Sequence, residues 1–562
     1  MVRGDAGFAA LRREGEVSAA MLGAAVACGD IARLIELRCA ENQDSDAVIF
    51  VELSPDGSLS EERRTYGDLR ANGRKVARWL QRRGIGPGDR FALMMQNHPE
   101  FIEAMIAASY VGAAFVPVDP RSGSDKLRFM LEFTEVPLVI AADYTLDVLR
   151  EIAPDLPAMR EILIVGEHAP GDGGTRETMW ADVLAGDDAG LGVVRAAPEA
   201  VMFLMFTSGT TGNPKAVERS HGAYMRSLGA LAARGARPGD VAYTGLPLCH
   251  INAHITLAGG LAMGLPVVVS RKFTRSRLWD ICRAYRVTLF ALLGGMIPEI
   301  FAAPERTDDA DNPVRLLICS GMSAELWERF EERFGVSITE VYGSTESGGV
   351  LINRMGEGPK GSMGKPLPGQ IAEILDHDDR PCPTRVAGEI CFRPVGGEAP
   401  PVTYFRDPEA SHAKTRGGWF RSGDLGLRDE EGWFYFLHRS GGGVRRNGEF
   451  VNTSLVERVL ASSPVVEDVF VYGIAAAGCV AGEKKLVAAL VLYPGATVSE
   501  LQGWAASRLQ KNERPEIWQP LDTIPKTASE KPMERECAER LYLAGQVSRP
   551  ARGGKNAGER KE

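Results

Sequence analysis

Glycine, hydroxyl and lysine side chains are concentrated in one stretch, Thr207-Ser208-Gly209-Thr210-Thr211-Gly212-Asn213-Pro214-Lys215. Glycines let the backbone come close to a ligand, and the N–H groups, hydroxyls and ammonium of such a loop can contact one anion together. The apolar run of residues 203–206 directly before it predicts a buried strand that ends at the loop. The composition suits a phosphate group, although a loop of this kind is by composition alone more often a plain turn.

The loop differs from the two most familiar nucleotide-binding motifs. The G-x-x-x-x-G-K-[ST] pattern of a P-loop is absent, and no G-x-G-x-x-G lies between a predicted strand and a predicted helix. Phosphate binding therefore has to be judged from the motifs that accompany the loop.

Five further segments with reactive or polar side chains follow in the sequence. They are Pro247-Leu248-Cys249-His250, Val341-Tyr342-Gly343-Ser344-Thr345-Glu346, Trp419-Phe420-Arg421-Ser422-Gly423-Asp424, Arg439 with Gly448-Glu449, and Pro525-Lys526-Thr527 before Lys531. In wording, order and spacing, these segments and the loop resemble the acyl-CoA synthetase, adenylation-domain and luciferase (AMP-binding) superfamily. The resemblance covers roughly residues 30 to 540.

The resemblance implies an ATP-dependent adenylating enzyme. In such a reaction a carboxylate attacks the α-phosphorus of ATP, which gives an acyl-AMP and pyrophosphate. Two anions meet, so catalysis must consist largely of charge neutralisation and alignment. The implied cofactors are ATP and Mg2+, and CoA is the expected co-substrate.

The resemblance also implies a role for individual residues. Lys531, Thr345 and Glu346 form the expected catalytic set: Lys531 would bridge the acid and the α-phosphate, Thr345 would contact the α-phosphate, and Glu346 would bind Mg2+. Within the loop, Thr207, Ser208 and Lys215 would hold the departing phosphates. Tyr342 and the backbone near Ser320 and Gly321 would flank the adenine, and Asp424, assisted by Arg439, would accept hydrogen bonds from the ribose hydroxyls. The remaining expected nucleotide contacts are Gly209, Thr210, Thr211, Gly212, Met322, Gly343 and Ser344.

Taken singly, each of these residues has an ordinary structural explanation. Asp424 after a glycine is usually a turn former, Glu346 fits a solvated loop, and Tyr342 fits a core aromatic. Lys531 lies in a charged run of the kind that is mostly solvated surface. His250 is more often a satisfied structural histidine than a catalyst, and a carboxylic acid substrate is already ionised at neutral pH without a base.

The acid-binding pocket is expected to involve His250, Asn252, Gly294 and Gly295. The adjacent glycines suggest room for a substrate. Within the superfamily, residues 247–250, 404–410 and 429–436 are closest in wording to the carnitine/crotonobetaine-type small-acid CoA ligases. This likeness indicates a small or polar acid.

One segment departs from the superfamily. Its members usually read Asp-Arg-x-(Lys/Asp)-Asp where this chain reads His438-Arg439-Ser440-Gly441-Gly442-Gly443, and the usual Gly-Glu-Asn becomes Gly448-Glu449-Phe450. Three consecutive glycines add backbone freedom where relatives have a pivot. The residues for adenylation are thus retained, while those for thioester formation are altered.

The departure leaves three hypotheses open. The leading one is an acid:CoA ligase. The second is another adenylate-forming ligase that does not use CoA, such as a diazotase-type enzyme of secondary metabolism that activates nitrite for an arylamine. The third, a non-catalytic binding or regulatory protein, is disfavoured because Lys215, Glu346, Asp424, Arg439 and Lys531 are all retained.

The elements that must position these residues follow an α/β pattern. Residues 66–83 have apolar residues at helical spacing, 91–95 and 114–118 predict buried strands, and 101–110 predicts a helix between them. Similar alternation recurs over residues 201–318, which predicts doubly wound sheets. Shorter strands with Gly/Pro turns after Gly369 predict a β-rich subdomain that ends near Phe436.

We therefore expect four regions. They are a large N-terminal domain over residues 1–436, a hinge and flexible loop over 437–448, a small mobile α+β C-terminal domain over 449–544, and a disordered tail over 545–562.

Composition limits the partners. The chain has 562 residues, 44% of them hydrophobic, and a net charge of -9, which disfavours general binding to nucleic acid or anionic lipid. The nine cysteines are scattered without a C-x-x-C pair, no stretch is apolar enough to span a membrane, and no signal sequence is evident. We expect a cytoplasmic enzyme whose partners are a small-molecule acid and either CoA or an amine acceptor. The oligomeric state is not predicted.

Overall fold

The structure, a computed structural model, covers most of the chain. It describes residues 19–168, 170–171, 174–207, 214–294, 296–301, 303–322, 324–346, 348–439, 444–447, 449–451, 453–476, 479, 483–525 and 532–548. The chain divides into two compact units, and the boundary between their main segments falls between Phe436 and Leu437.

Twenty strands begin in the described part of the larger unit. They are β1 (Asp46–Leu53), β2 (Leu59–Thr65), β3 (Arg90–Met94), β4 (Ala114–Val118), β5 (Leu138–Ala142), β6 (Glu161–Val165), β7 (Arg176–Met179), β8 (Val201–Thr207), β9 (Lys215–Ser220), β10 (Ala242–Thr244), β11 (Val267–Ser270), β12 (Leu289–Leu293), β13 (Leu316–Ser320), β14 (Ser337–Tyr342), β15 (Leu351–Asn353), β16 (Lys365–Pro366), β17 (Gln370–Leu375), β18 (Gly388–Pro394), β19 (Phe420–Arg428) and β20 (Phe434–Arg439). The smaller unit adds β21 (Val444–Arg446), β22 (Glu449–Val451), β23 (Val466–Ile474), β24 (Lys485–Leu492) and β25 (Ile517–Pro520).

The following α-helices precede or connect these strands, and residues 294–298, where one of the helices begins, group with the smaller unit. They are α1 (Ile31–Asn42), α2 (Tyr66–Arg82), α3 (Pro99–Val111), α4 (Ser124–Thr134), α5 (Leu146–Ile152), α6 (Trp180–Ala185), α7 (His221–Arg226), α8 (Ala230–Ala233), α9 (Ile251–Met263), α10 (Leu278–Ala284), α11 (Met296–Phe301), α12 (Ala324–Phe334) and α13 (Pro408–Lys414). The smaller unit contains α14 (Thr453–Ala461), α15 (Val498–Arg508) and α16 (Glu534–Leu543).

A seven-stranded sheet has the order β7-β6-β5-β3-β4-β8-β9 and is parallel except for its last pair. Strands β3 to β6 are almost wholly buried apolar residues, as expected for a parallel sheet that is covered on both faces. The strand–helix–strand unit predicted from residue 91 to residue 118 is confirmed as β3, α3 and β4. At the β8–β9 edge the predicted strand–helix alternation is wrong, because the segment after β8 returns as an antiparallel strand.

A nine-stranded sheet has the order β16-β15-β14-β13-β12-β10-β11-β1-β2. Its six central strands are parallel, whereas β15, β16 and β2 are antiparallel additions at the two edges. The edge strand β2 carries four charged residues in its seven positions, which protects an open edge from pairing with other chains.

The predicted β-rich subdomain is confirmed as the sheet β17-β18-β19-β20. Its apolar core includes Phe392, Phe420 and Phe434, and Tyr342 packs against that core from the nine-stranded sheet. In the smaller unit, β23, β24 and β25 form a mixed sheet, and α14 and α15 cover one apolar face of it. The α/β class with a smaller C-terminal domain is thus confirmed.

Local capping explains where particular helices begin and end. Ahead of α2, the Thr65 hydroxyl accepts the Asp68 N–H, and the Asp68 carboxylate accepts the Thr65 N–H in return. Helix α3 begins at Pro99 and ends at Val111, and its C-cap residue Gly112 has a left-handed φ of 74° that suits glycine. The start of α2 and both ends of α3 are thus defined by local residues.

Three further expectations concern membrane-spanning helices, the cysteines and the C-terminal tail. Among the described residues, no helix is long and apolar enough to cross a membrane. All nine cysteines are free thiols. Of the predicted tail, residues 545–548 are described and Val547 is buried, while residues 549–562 lie outside the described part.

Candidate functional site

The carboxyl ends of β13 and β14 bring two predicted nucleotide-binding segments together. These strands are parallel neighbours, with Leu316 opposite Ser337. Ser320 is the last residue of β13, and Tyr342 is the last residue of β14. The segments 320–322 and 342–346 therefore leave the sheet side by side, at the edge where ligands bind in open α/β sheets.

Glu340 organises this edge, and the sequence reasoning missed it. Its carboxylate is buried, with 4% of the residue exposed. It accepts hydrogen bonds from the backbone N–H of Gly321, from the backbone N–H of Met322 at 3.1 Å and from the Cys319 thiol at 2.9 Å. Gly321 has a φ of 105°, a conformation that favours glycine. The carboxylate thus holds the turn in shape, because a buried charge needs such donors.

The sequence does not mark Glu340, because residues 337–342 mix polar and apolar side chains. In the structure it lies among buried residues of β14, Ile338, Thr339 and Val341. A carboxylate at such a position is rarely left buried unless it has strong partners. Its partners could not be named from the sequence.

Tyr342 and Asp424, which are 82 residues apart, form a direct hydrogen bond. The Tyr342 hydroxyl donates to Asp424 Oδ2 at 2.6 Å, and the Tyr342 ring stacks on Phe392 with 6.2 Å between centroids. Asp424 is 8% exposed, and its backbone N–H donates to Ser422 Oγ. Asp424 is therefore more than a turn former. In this position beside Tyr342, the Asp424 carboxylate can accept hydrogen bonds from hydroxyl groups.

Glu346 lies in a polar cluster. Its Oε1 accepts the Tyr404 hydroxyl at 2.8 Å. Burial alone raises the pKa of Glu346, but the positive charge of Lys414 and hydrogen bonds from a backbone N–H, Tyr404 and Ser344 outweigh it, so the pKa lies below its ordinary value. The carboxylate is therefore ionised at neutral pH, as a ligand of a hard cation must be.

The donor chemistry around Glu346 fits Mg2+. Besides the carboxylate, the neighbouring side chains of Ser344 and Thr345 offer hydroxyl oxygens. Mg2+ binds proteins through one or two carboxylates and completes its shell with water and phosphate oxygens. Glu346 would hold such an ion, and the other oxygens would come from the nucleotide and from water.

The predicted phosphate loop connects β8 to β9. Thr207 pairs with Lys215 across these antiparallel strands, and the Thr207 hydroxyl donates to the Lys215 carbonyl at 3.4 Å. Lys215 Nζ lies 3.3 Å from Asp407 Oδ2 and 5.4 Å from the centre of the Tyr404 ring. The two ends of the loop are thus adjacent, and its lysine faces a carboxylate.

The predicted pocket residues lie at two places. His250 directly precedes α9 and makes no side-chain capping hydrogen bond to it, Asn252 is half-buried in the first turn of that helix, and Gly294 is buried just after β12. Donor atoms of His250, Asp119 and buried Cys249 lie within 4.8 Å of one another. The proximity of these three residues was not expected from the sequence.

Arg121 accounts for the charge of Asp119 in that group. Its guanidinium contacts both carboxylate oxygens, with the shorter distance 2.6 Å. Burial raises the pKa of Asp119, but the contacts with Arg121 and the nearby His250 lower it by more, so the pKa lies below its ordinary value. Asp119 is therefore an anion that is already paired with a cation.

The structural histidine of this region is His254. It is fully buried, its Nε2 lies 2.7 Å from the Leu248 carbonyl oxygen, and its ring stacks on Phe115 and Phe203. Burial lowers the pKa of His254 to about 4. The role of a buried, satisfied histidine, considered above for His250, thus belongs to His254.

Several predicted site residues cannot be placed. Ser208, Gly209, Thr210, Thr211, Gly212, Gly295 and Lys531 lie outside the described residues. Arg439 is the last residue of β20, and its side chain is likewise outside the described part. The roles assigned to these residues stay predictions.

Two family models match parts of the chain. The family model "AMP-binding enzyme" matches residues 35–396, and the model "AMP-binding enzyme C-terminal domain" matches residues 455–531. The chain is 29% identical over 481 residues to the crotonobetaine/carnitine–CoA ligase of Salmonella typhi, covering 83% of this chain and 91% of that protein. The ligase of Salmonella typhimurium is equally similar.

Two solved structures share the fold. The o-succinylbenzoate CoA synthetase of Bacillus subtilis superposes with a TM-score of 0.75 at 24% identity, covering 90% of this chain and 98% of that one. An amide bond synthetase from Marinactinospora thermotolerans also gives a TM-score of 0.75, at 22% identity, covering 91% and 99%. At these identities the likeness concerns the fold.

Proposed function

The chain belongs to the AMP-binding enzyme family, and on that premise we propose that it activates a small or polar carboxylic acid and transfers the acyl group to CoA. Members of this family are ATP-dependent, AMP-forming ligases, and the chain is one of them. The curated relatives named as crotonobetaine/carnitine–CoA ligases support both the acid class and the CoA step. A cytoplasmic location is part of the proposal.

The observation that carries the proposal is the arrangement at the carboxyl ends of β13 and β14. An ionised Glu346 and the Tyr342–Asp424 hydrogen bond lie just beyond neighbouring parallel strands. One end of a nucleotide needs a metal-binding carboxylate beside its phosphates, and the other needs an acceptor for ribose hydroxyls. These residues could provide both.

In the first half-reaction, an oxygen of the substrate carboxylate attacks the α-phosphorus of ATP, the bond to the bridging oxygen breaks, and pyrophosphate leaves. Lys215 and the loop that precedes it neutralise the departing phosphates, and Thr345 and Lys531 contact the α-phosphate. A magnesium ion at Glu346 supplies further charge neutralisation when bound. Glu340 keeps the turn at Gly321 in the shape that receives the adenine.

In the second half-reaction, the thiol of CoA attacks the acyl carbonyl carbon. The bond to the AMP oxygen breaks, AMP leaves, and the thiol proton goes to solvent. We propose that the small domain, residues 449–544, turns about the hinge at 437–448 between the two steps. This would move Lys531 away after adenylation.

The second candidate is transfer to an acceptor other than CoA, such as an amine, or activation of nitrite for an arylamine. Two observations favour it. The segment 438–450 departs from the family wording where thioester formation needs it, and an amide bond synthetase shares the fold. Both candidates begin with an adenylate.

A pyrophosphate-release assay over a panel of small carboxylic acids and nitrite tests the proposal, run with and without CoA and amines. We expect release with a small acid, and an acyl-CoA product by mass spectrometry. Lys531→Ala should abolish release while leaving ATP binding intact. Release with no acid, or release that never leads to a CoA thioester, would contradict the leading proposal; product formed only with an amine would favour the second.

A further inference from the structure

The phosphate-loop lysine faces an internal carboxylate in the described structure. Lys215 Nζ lies 3.3 Å from Asp407 Oδ2, and both side chains remain about one-third exposed, at 30% and 35%. An ammonium that is to receive pyrophosphate oxygens is thus already paired. We propose that Asp407 forms an ion pair with Lys215 in the nucleotide-free enzyme and competes with the β- and γ-phosphates of ATP for the Lys215 ammonium. This inference rests on the proposed function of Lys215.

The backbone fixes this pairing in register. The segment 403–405 runs antiparallel to the start of β9: the Glu218 N–H donates to the Thr403 carbonyl at 2.9 Å, and the Phe405 N–H donates to the Ala216 carbonyl at 2.8 Å. Asp407 follows directly on this added strand. The backbone hydrogen bonds therefore hold the Asp407 carboxylate near Lys215.

Tyr404 lies between the pair and the proposed metal ligand. The residue is buried, at 6% exposed; its ring lies under Lys215, and its hydroxyl donates to Glu346. Attraction between a cation and an aromatic ring favours an ammonium at this position whichever anion it meets. The lysine can therefore exchange Asp407 for phosphate with little movement of its stem.

Asp407 also caps a helix, and this second interaction makes the competition testable. Its side chain accepts the Ala410 N–H at 3.0 Å as the N-cap of α13. The hydrogen bond from Ala410 lowers the pKa of Asp407 despite its partial burial, and Lys215 lowers it further. Asparagine caps helices about as well as aspartate. Asp407→Asn therefore removes the charge that holds Lys215 and keeps the cap.

The expected effect is set by the strength of a partly exposed ion pair. Such pairs contribute at most about 1 kcal/mol, which is about a fivefold change in an equilibrium constant. Asp407→Asn should therefore tighten binding of ATP and of inorganic pyrophosphate about two- to fivefold. AMP lacks the β- and γ-phosphates, so its affinity should stay at the wild-type value.

The experiment is isothermal titration of the full chain with MgATP, pyrophosphate and AMP. Glu409→Gln is the matched control, because it removes one charge from the first turn of the same helix and has no ion-pair partner among the described residues. Lys215→Ala provides a background in which Asp407→Asn should have no effect. Thermal midpoints of all variants monitor the cap.

Three results would overturn the inference. ATP binding by Asp407→Asn could be unchanged or weaker; AMP could tighten as much as ATP, which indicates a general charge effect; or the gain could persist in Lys215→Ala. A wild-type chain that binds ATP but activates no acid would overturn the proposed substrate class alone. A chain that binds no ATP would overturn both.

Discussion

Replacing Glu340 with glutamine tests how the turn at Gly321 is held. Glutamine has nearly the same shape, but only one of its two terminal atoms accepts a hydrogen bond. In the wild type, Oε1 accepts the Gly321 N–H, and Oε2 accepts the Met322 N–H and the Cys319 thiol. Whichever way the amide lies, its NH2 group faces a buried donor.

The size of the effect follows from these contacts. A hydrogen bond to a charged group contributes about 1.5–3 kcal/mol. Glu340→Gln loses at least one of the three hydrogen bonds, and those that remain no longer have a charged acceptor. If the loss appears in the nucleotide complex, it corresponds to a factor of about ten to one hundred in affinity. We expect Glu340→Gln to raise the KM for ATP by about this factor, with a smaller change in kcat and a lower urea midpoint.

The assay is ATP–pyrophosphate exchange at saturating acid, together with urea unfolding followed by fluorescence. Cys319→Ala is the control, since it removes only the weak thiol donor and leaves both backbone N–H donors with their carboxylate. It should change the KM for ATP by less than about twofold. A wild-type KM in Glu340→Gln, or an equal rise in Cys319→Ala, would refute the role assigned to Glu340.

Three other predictions concern residues of the same unit. Tyr342→Phe removes the 2.6 Å hydrogen bond to Asp424, so the KM for ATP should rise about five- to tenfold; an unchanged KM in steady-state kinetics would contradict a shared role. Because the pKa of Glu346 lies below its ordinary value, its carboxylate should stay ionised from pH 5.5 to 8. The adenylation rates of the wild type and of Glu346→Gln should therefore have the same pH profile in this range, and the variant should need far more Mg2+ in a metal titration. Burial lowers the pKa of His254 to about 4, so the unfolded chain binds more protons between pH 6.5 and 4, and stability falls as the pH falls through that range. Between pH 6.5 and 5 the loss is about 1.6 kcal/mol. In urea unfolding, His254→Gln should show a pH dependence weaker by that amount, and an identical dependence would exclude His254 as its source.

Much of the fold could be predicted because its signals are local. The helix expected over 66–83 is α2 and the strand expected over 114–118 is β4, each within one residue of the structure. Apolar spacing and turn residues lie within a few positions of the element that they define. The strand after the phosphate loop was missed because pairing with β8 depends on a partner that the spacing does not reveal.

The chemistry of the chain was also evident from the sequence, through motifs whose residue types suit phosphate, metal and ribose. Their order identified the superfamily before any geometry was available, and the family models agree. Which acceptor takes the acyl group did not follow, because it depends on a segment, 438–450, where the wording departs from the relatives.

The contacts that make a site from these residues were decided only by tertiary structure. Glu340 holds the turn at Gly321, Tyr342 meets Asp424 across 82 positions, and Lys215 faces Asp407. Such contacts depend on strand order and register, which bring together residues that are far apart in the chain. The sequence by itself thus determined the elements and the kind of chemistry, since both are written in neighbouring residues. The partners of each charged group were determined by the packing of the sheets, because burial and hydrogen bonding exist only once those sheets have formed.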